Sequence, residues 1–250
     1  MDLGLKGKIA LVTGATSGVG REIALSLAAE GAAVAVNYRS SANEAEAVVG
    51  EVKAKGGRAK AYRADVADFT AVKAMTEAVA EDFGGLNILI NNAGLAKRQR
   101  FVDTRPEDWH AQINASLYGA IHCCHAASPY LEAAKNGRIV SVIGDSSRVG
   151  ESGLAIVAAA RAGVVGLMKS LAREFGRSGT TANTISLGLV ETAHDKDWVE
   201  ANREKLIKFY PVRRLGQPGD VAPMIAMLVS PHAGWITGQV LSISGGYSMV

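Results

Sequence analysis

The chain has 250 residues, a formal net charge of +3 and 48% hydrophobic side chains with 28 glycines, which fits a globular protein with a large core and many tight turns. Its basic residues are scattered, so no nucleic-acid surface is expected, and its only cysteines, Cys123 and Cys124, are adjacent and build no disulfide framework, which suits a reducing cytoplasm. "MDLGLKGK" runs straight into a strand-like segment without a signal-peptide pattern, and no apolar run of about eighteen residues announces a membrane span.

Strand and helix periods alternate along the whole length. "KIALVTG" (8–14) reads as a buried strand and "GREIALSLAAEG" (20–31) as an amphipathic helix closed by Gly31. The strand 32–38, helix 41–57, strand 58–66 and helix 68–85 follow, then the strand and turn "NILINNAG" (87–94). Helices near 106–117 and 118–134 lead to the strand 137–144 and a helix within "GLAIVAAARAGVVGLMKSLARE" (153–174). Strands at 180–188 and 238–246 close the pattern. Short strands joined through helices pair in parallel by right-handed crossovers. The expected fold is α/β, a doubly wound parallel sheet of Rossmann type with helices on both faces, forming one domain over residues 1–250.

"TGATSGVG" (13–20) follows a strand and opens a helix. Gly14, Gly18 and Gly20 could merely permit a sharp turn. In this context they also let a pyrophosphate approach the free N–H groups and positive end of the helix. The second strand ends in "VNYRSS" (36–41), without the carboxylate that would bond two ribose hydroxyls. Arg39 stands there to pair a 2′-phosphate, which favours NADP(H) over NAD(H), the alternative being an ordinary surface arginine. "HCCH" (122–125) puts two histidines on one helix without further ligands, and buried packing is the default reading over a metal site.

The spacing G-x-x-x-G-x-G, "NNAG" at 91–94 and the ending "ITGQVLSISGG" resemble the short-chain dehydrogenase/reductase family, closest to its β-ketoacyl-carrier-protein reductase type, over nearly the whole chain. By that resemblance Gly14, Ser17, Gly18, Val19 and Gly20 border the cofactor phosphates, and Asp65 and Val66 flank the adenine. Asn91, Ala93 and Gly94 line the cofactor cleft, while Gly188, Val190 and Thr192 approach the nicotinamide. The family's serine, tyrosine and lysine set falls on Gly144, Val157 and Arg161, with no tyrosine between Tyr130 and Tyr210 to replace the missing one. Leu187 stands where the family usually carries a proline.

Hydride delivery to a carbonyl leaves an alkoxide that needs a proton, and valine supplies none. Arg161 keeps a positive charge able to grip ribose hydroxyls, but its pKa is too high for it to serve as an acid at neutral pH. Asn114 matches the helix asparagine that supports the family's lysine. Ser146 and Tyr118 are the candidates to orient a substrate carbonyl, although Tyr118 and His122, four residues apart, also read as helix-packing residues. The stretch 191–214, with Trp198, Phe209 and Tyr210, sits where the family carries a substrate-covering segment.

Three readings follow. The first is an atypical NADP(H)-dependent oxidoreductase acting on a small molecule such as an activated carbonyl, enone or quinone-like ring. The second is a catalytically silent NADP(H)-binding subunit or sensor, and the third a non-redox enzyme on the same cleft. The resemblance implies a homotetramer, or a mixed oligomer with an active paralogue, paired through helices rich in small residues.

Overall fold

Residues 1–192 and 196–250 are described by a computed structural model of the chain. In chain order its first half comprises β1 (Ile9–Val12), α1 (Gly18–Ala29), β2 (Ala33–Tyr38), α2 (Ala42–Ala54), β3 (Arg58–Arg63), α3 (Phe69–Phe83) and β4 (Ile88–Asn91). There follow α4 (Pro106–Ile113), a single π-helical turn (Asn114–Tyr118), α5 (Gly119–Ala133), β5 (Arg138–Gly144) and the one-turn α6 (Ser146–Val149). The chain ends with α7 (Ala155–Glu174), β6 (Thr181–Leu187), α8 (Lys196–Leu206), α9 (Pro218–Leu228) and β7 (Val240–Ile243).

Alternation of side chains along the strands sets the layers. In β1, Ala10 and Val12 join a core with α1, α2 and α9, whereas Ile9 and Leu11 join a core with α3, α5 and α7. All seven strands pair in parallel in the order β3-β2-β1-β4-β5-β6-β7, with helices on both faces, as expected for the doubly wound class. The strand order reverses between β1 and β4, and a crevice opens beyond their carboxyl ends.

Two features differ from the sequence reading. α9 was not anticipated, because Gly219 and Pro223 interrupt its helical signal. It starts at Pro218 in the first helical position, inside a reciprocal capping box of Gln217 and Asp220, and its apolar face packs against α1. α7 is, by length and composition alone, apolar enough to cross a membrane, with a mean hydropathy of 1.5, contrary to the expectation of no such run. In this fold Val157, Ala160, Val164, Met168 and Ala172 form the buried stripe of that helix.

Asp220 illustrates how α9 is anchored. It accepts two hydrogen bonds from the Arg214 guanidinium, at 2.5 and 2.7 Å, and one from the Gln217 N–H at 2.7 Å. The arginine first, then the backbone N–H, lowers its pKa from 3.8 to about 2. A depressed carboxylate pKa contributes stability above the unfolded value, and this contribution is lost as pH falls through the folded value. Asp220→Asn should therefore lower the thermal unfolding midpoint at neutral pH. It should also flatten the loss of stability between pH 4 and pH 2, read by circular dichroism melts across that window.

Candidate functional site

The crevice is built around glycines that have no room for a side chain. A methyl group added at Gly20 would run into the Gly14 carbonyl and the Asn92 amide, while Gly14 and Gly18 hold φ of +60° and +52°. Asn92 Nδ2 donates to the Thr13 and Gly14 carbonyls at 3.0 and 3.1 Å. The Thr13 hydroxyl accepts the N–H groups of Asn92 and Ala93, both at 3.0 Å. Asn37, 2% exposed, accepts the Gly14 N–H at 3.2 Å and donates to the Ala64 carbonyl at 3.1 Å. Together these bonds tie the ends of β1, β2, β3 and β4 into one rigid rim.

α1 begins on that rim. Its N-cap, Ser17, makes no side-chain capping bond, so the first N–H groups of the helix are left to face the cleft. The cleft encloses about 510 Å³ and its walls include Gly14, Ser17, Gly18, Val19, Gly20, Arg39, Asp65, Val66, Ala93, Gly94, Arg161 and Thr192. The Thr192 methyl covers the turn, 3.0 Å from where a Gly18 side chain would start. At the far end Arg39 stands beside the Ser40 and Ser41 hydroxyls, with its guanidinium 4.0 Å from the Asp65 carboxylate. That pair is exposed and weak enough for a bound anion to displace.

A second cavity of about 490 Å³ adjoins the first, and Arg161 belongs to the walls of both. A methyl group on Gly144 would lie 3.0 Å from Arg161 Nη1, and one on Gly94 3.7 Å from Nη2, so the guanidinium spans the partition between them. Burial lowers its pKa, and among the described residues it makes no hydrogen bond or ion pair. The absence of a side chain at Gly144 is what admits Nη1. Val157, one turn earlier on α7, is fully buried in the helix-to-sheet packing.

Ser146 reaches the second cavity, with its hydroxyl 3.5 Å from the position of a Gly144 methyl. Next to it Asp145 is 1% exposed, and its Oδ1 accepts from the Ser186 hydroxyl and, at 2.7 Å, from the Ser242 hydroxyl. Tyr210 also stands in this wall, stacked on Tyr247 at 5.4 Å between ring centres. Its oxygen accepts the Leu189 N–H at 2.9 Å, and burial holds the phenol above its ordinary pKa, so it stays protonated at neutral pH.

Several sequence expectations need correction. The Asn91 amide lies inside the sheet, donating to Ser141 Oγ at 3.2 Å and Cys124 Sγ at 3.3 Å, and the next asparagine, Asn92, is the one that faces the cleft. The side chain of Asn114 is exposed. Across the π-helical turn it is Ser116 that turns inward, its hydroxyl 3.4 Å from a Gly94 methyl position. Tyr118 is 49% exposed and its ring packs on His122 at 5.9 Å, away from both cavities. His122 itself meets the Val66 carbonyl at 2.9 Å.

Gly188 lines the second cavity and, together with Val190 and Tyr210, a smaller recess beside it. Within the stretch 191–214, Trp198, Phe209 and Tyr210 do border the second cavity, while residues 193–195 lie outside the described residues. Asn37, Asn92 and Ser116 were missed, because polar residues at strand ends and inside a helix look like ordinary solvent-facing positions.

Residues 14–248 match the family described as Enoyl-(Acyl carrier protein) reductase. The chain is 40% identical over 242 residues to the 3-oxoacyl-[acyl-carrier-protein] reductase FabG of Staphylococcus aureus, covering 97% of this chain and 98% of the relative. It is 35% identical over 247 residues, 99% of each chain, to the (2S)-[(R)-hydroxy(phenyl)methyl]succinyl-CoA dehydrogenase subunit BbsD of Thauera aromatica. A short chain dehydrogenase from Burkholderia cenocepacia, solved in complex with NADP, superposes with a TM-score of 0.91 at 38% identity, over 97% of this chain and 98% of that one. With this sheet order, this glycine turn and this extent of likeness, the chain belongs to the short-chain dehydrogenase/reductase family.

Proposed function

We propose that the protein is an NADP(H)-dependent oxidoreductase of a single domain that works without the family's serine, tyrosine and lysine set. The observation that carries this reading is that Arg161 belongs to the walls of both cavities. The cradle fits the dinucleotide: the glycine turn leaves a gap that a Cβ would fill, and the α1 N–H groups face it. Gly14, Ser17, Gly18, Val19 and Gly20 would hold the pyrophosphate, and Arg39 with Ser40 and Ser41 the 2′-phosphate. Asp65, Val66, Asn92, Ala93, Gly94 and Thr192 would border the rest. NADPH, when bound, supplies a hydride.

The chain's own residues then have two tasks. Arg161 stabilises negative charge on the substrate oxygen through a desolvated guanidinium, an electrostatic role that needs no proton transfer from the arginine. A proton is held nearby at Tyr210 Oη, with Ser146 as a further hydroxyl able to orient the substrate. Tyr210 takes over the part first assigned to Tyr118. Such a site suits a small molecule with an activated carbonyl, an enone or a quinone-like ring.

The S. aureus relative is named as a 3-oxoacyl-[acyl-carrier-protein] reductase, which supports a carbonyl substrate. We further propose a homotetramer, or a mixed oligomer with an active paralogue. Exposed Trp235, Met249 and Val250 and the small residues of α7 support it, and a monomeric mass in solution would exclude it.

A second reading has its own observation. Val157 is buried and donates nothing, and the T. aromatica relative is named as a subunit, so a silent NADP(H)-binding subunit follows from the same facts. NADPH consumption on a panel of ketones, enones and quinones separates the two. The natural protein should turn over an enone or quinone, and Tyr210→Phe should lower that rate about a hundredfold while Tyr118→Phe leaves it unchanged. If only Gly144→Ser/Val157→Tyr/Arg161→Lys consumes NADPH, the natural site is silent and the second reading stands.

Arg39→Gln should weaken NADPH binding about ten- to a hundredfold, the range for a lost charge-assisted hydrogen bond, with NADH affinity unchanged. Fluorescence titration measures both. Equal affinity of the natural protein for NADH and NADPH would refute the assignment of the 2′-phosphate to Arg39.

A further inference from the structure

We infer that the second cavity takes a carboxylate-bearing ligand with an aromatic or branched apolar body, and that Arg161 is its anion anchor. The inference rests on reading that cavity as the substrate side of an NADP(H) site.

The other arginine of the cavity wall is paired, and the buried carboxylate is held by hydroxyls. Arg98 pairs with Glu151, donates to the Ser152 carbonyl at 2.9 Å and lies 5.7 Å from the centre of the Trp198 ring. Asp145 directs one carboxylate oxygen at Ser186 and Ser242, and its other oxygen is buried without a partner. Tyr210 and Tyr247 are both held above the ordinary phenol value by burial, and remain neutral at pH 7. Arg161 is thus the cation of this wall that lacks a counter-charge among the described residues.

A guanidinium stays ionised even when burial lowers its pKa, so it cannot escape the cost of desolvation by losing its proton. That cost is offset only by an opposite charge or by several hydrogen-bond acceptors. In the proposed binding mode the anionic groups of a dinucleotide would meet the glycine turn and Arg39. Nη1 is left on the Gly144 side, towards the second cavity, where a glycine gives it access. From there Nη1 can donate a charge-assisted hydrogen bond to a carboxylate oxygen.

The rest of the lining specifies the body of the ligand. Leu154, Trp198, Leu206, Phe209 and Tyr247 offer apolar and ring surfaces, and about 490 Å³ accommodates a single ring with a short chain. A neutral ligand of the same shape would bury the arginine further and leave it unpaired.

Isothermal titration of the full chain saturated with NADP⁺ tests this, with 3-phenylpropanoate and its uncharged counterpart 3-phenylpropanamide as probes. The carboxylate should bind at least about tenfold more tightly than the amide. Arg161→Gln should abolish that preference, with a smaller loss of NADP⁺ affinity than of carboxylate affinity, and Arg161→Lys should retain part of it. Gly144→Ser, which crowds Nη1, should weaken carboxylate binding with the arginine still present.

Equal affinity for the two probes, no binding of either, or a loss of NADP⁺ affinity in Arg161→Gln matching the loss of the carboxylate would each overturn the inference. The last of these would assign the arginine to the cofactor. If Arg161→Gln fails to fold, as judged by circular dichroism, the comparison of probes on the natural protein and on Gly144→Ser decides. Binding is read without turnover, so a protein that binds the carboxylate but consumes no NADPH defeats the reductase reading alone. If NADP⁺ itself does not bind, the same titration without it decides.

Discussion

A backbone contact too close for a methyl group governs the functional end of the molecule. Gly20 lies against the Gly14 carbonyl and the Asn92 amide, and that approach fixes the start of α1 over the ends of β1 and β4. Any side chain at Gly20 would push the helix away from the sheet, and the N–H groups of its first turn would no longer face the cleft. The polar rim made by Thr13, Asn37 and Asn92 is the price of this geometry, since each buried group must find partners when the strands end together.

The fold was largely legible in the chain. Short apolar strands and amphipathic helices of ordinary length carry strong periodic signals, and all seven strands lie within their expected ranges. The glycine turn was equally clear, because only glycine serves there and its spacing is local. What escaped was set by tertiary contacts. α9 was hidden by its glycine and internal proline, yet it folds because its apolar face meets α1. The choice between Asn91 and Asn92 depended on where β4 ends, a one-residue question that alternation along a strand answers only once the register is known.

The interior of the site shows the same limit more sharply. Asn114 and Tyr118 belong to a π-helical turn, where the usual step of four residues no longer returns to the same face. Ser116 therefore turns inward at a place that helical spacing alone would not select. The π turn is a local departure that no composition signal announces, and it moves two expected side chains outward.

Gly144 and Arg161 are joined by more than proximity. Nη1 stands 3.0 Å from where a side chain at 144 would begin, so the effect of any substitution at one position depends on the occupant of the other. A serine introduced at 144 beside the arginine meets an occupied space, whereas the same serine beside a shorter, single-pronged lysine does not have to displace a planar fork.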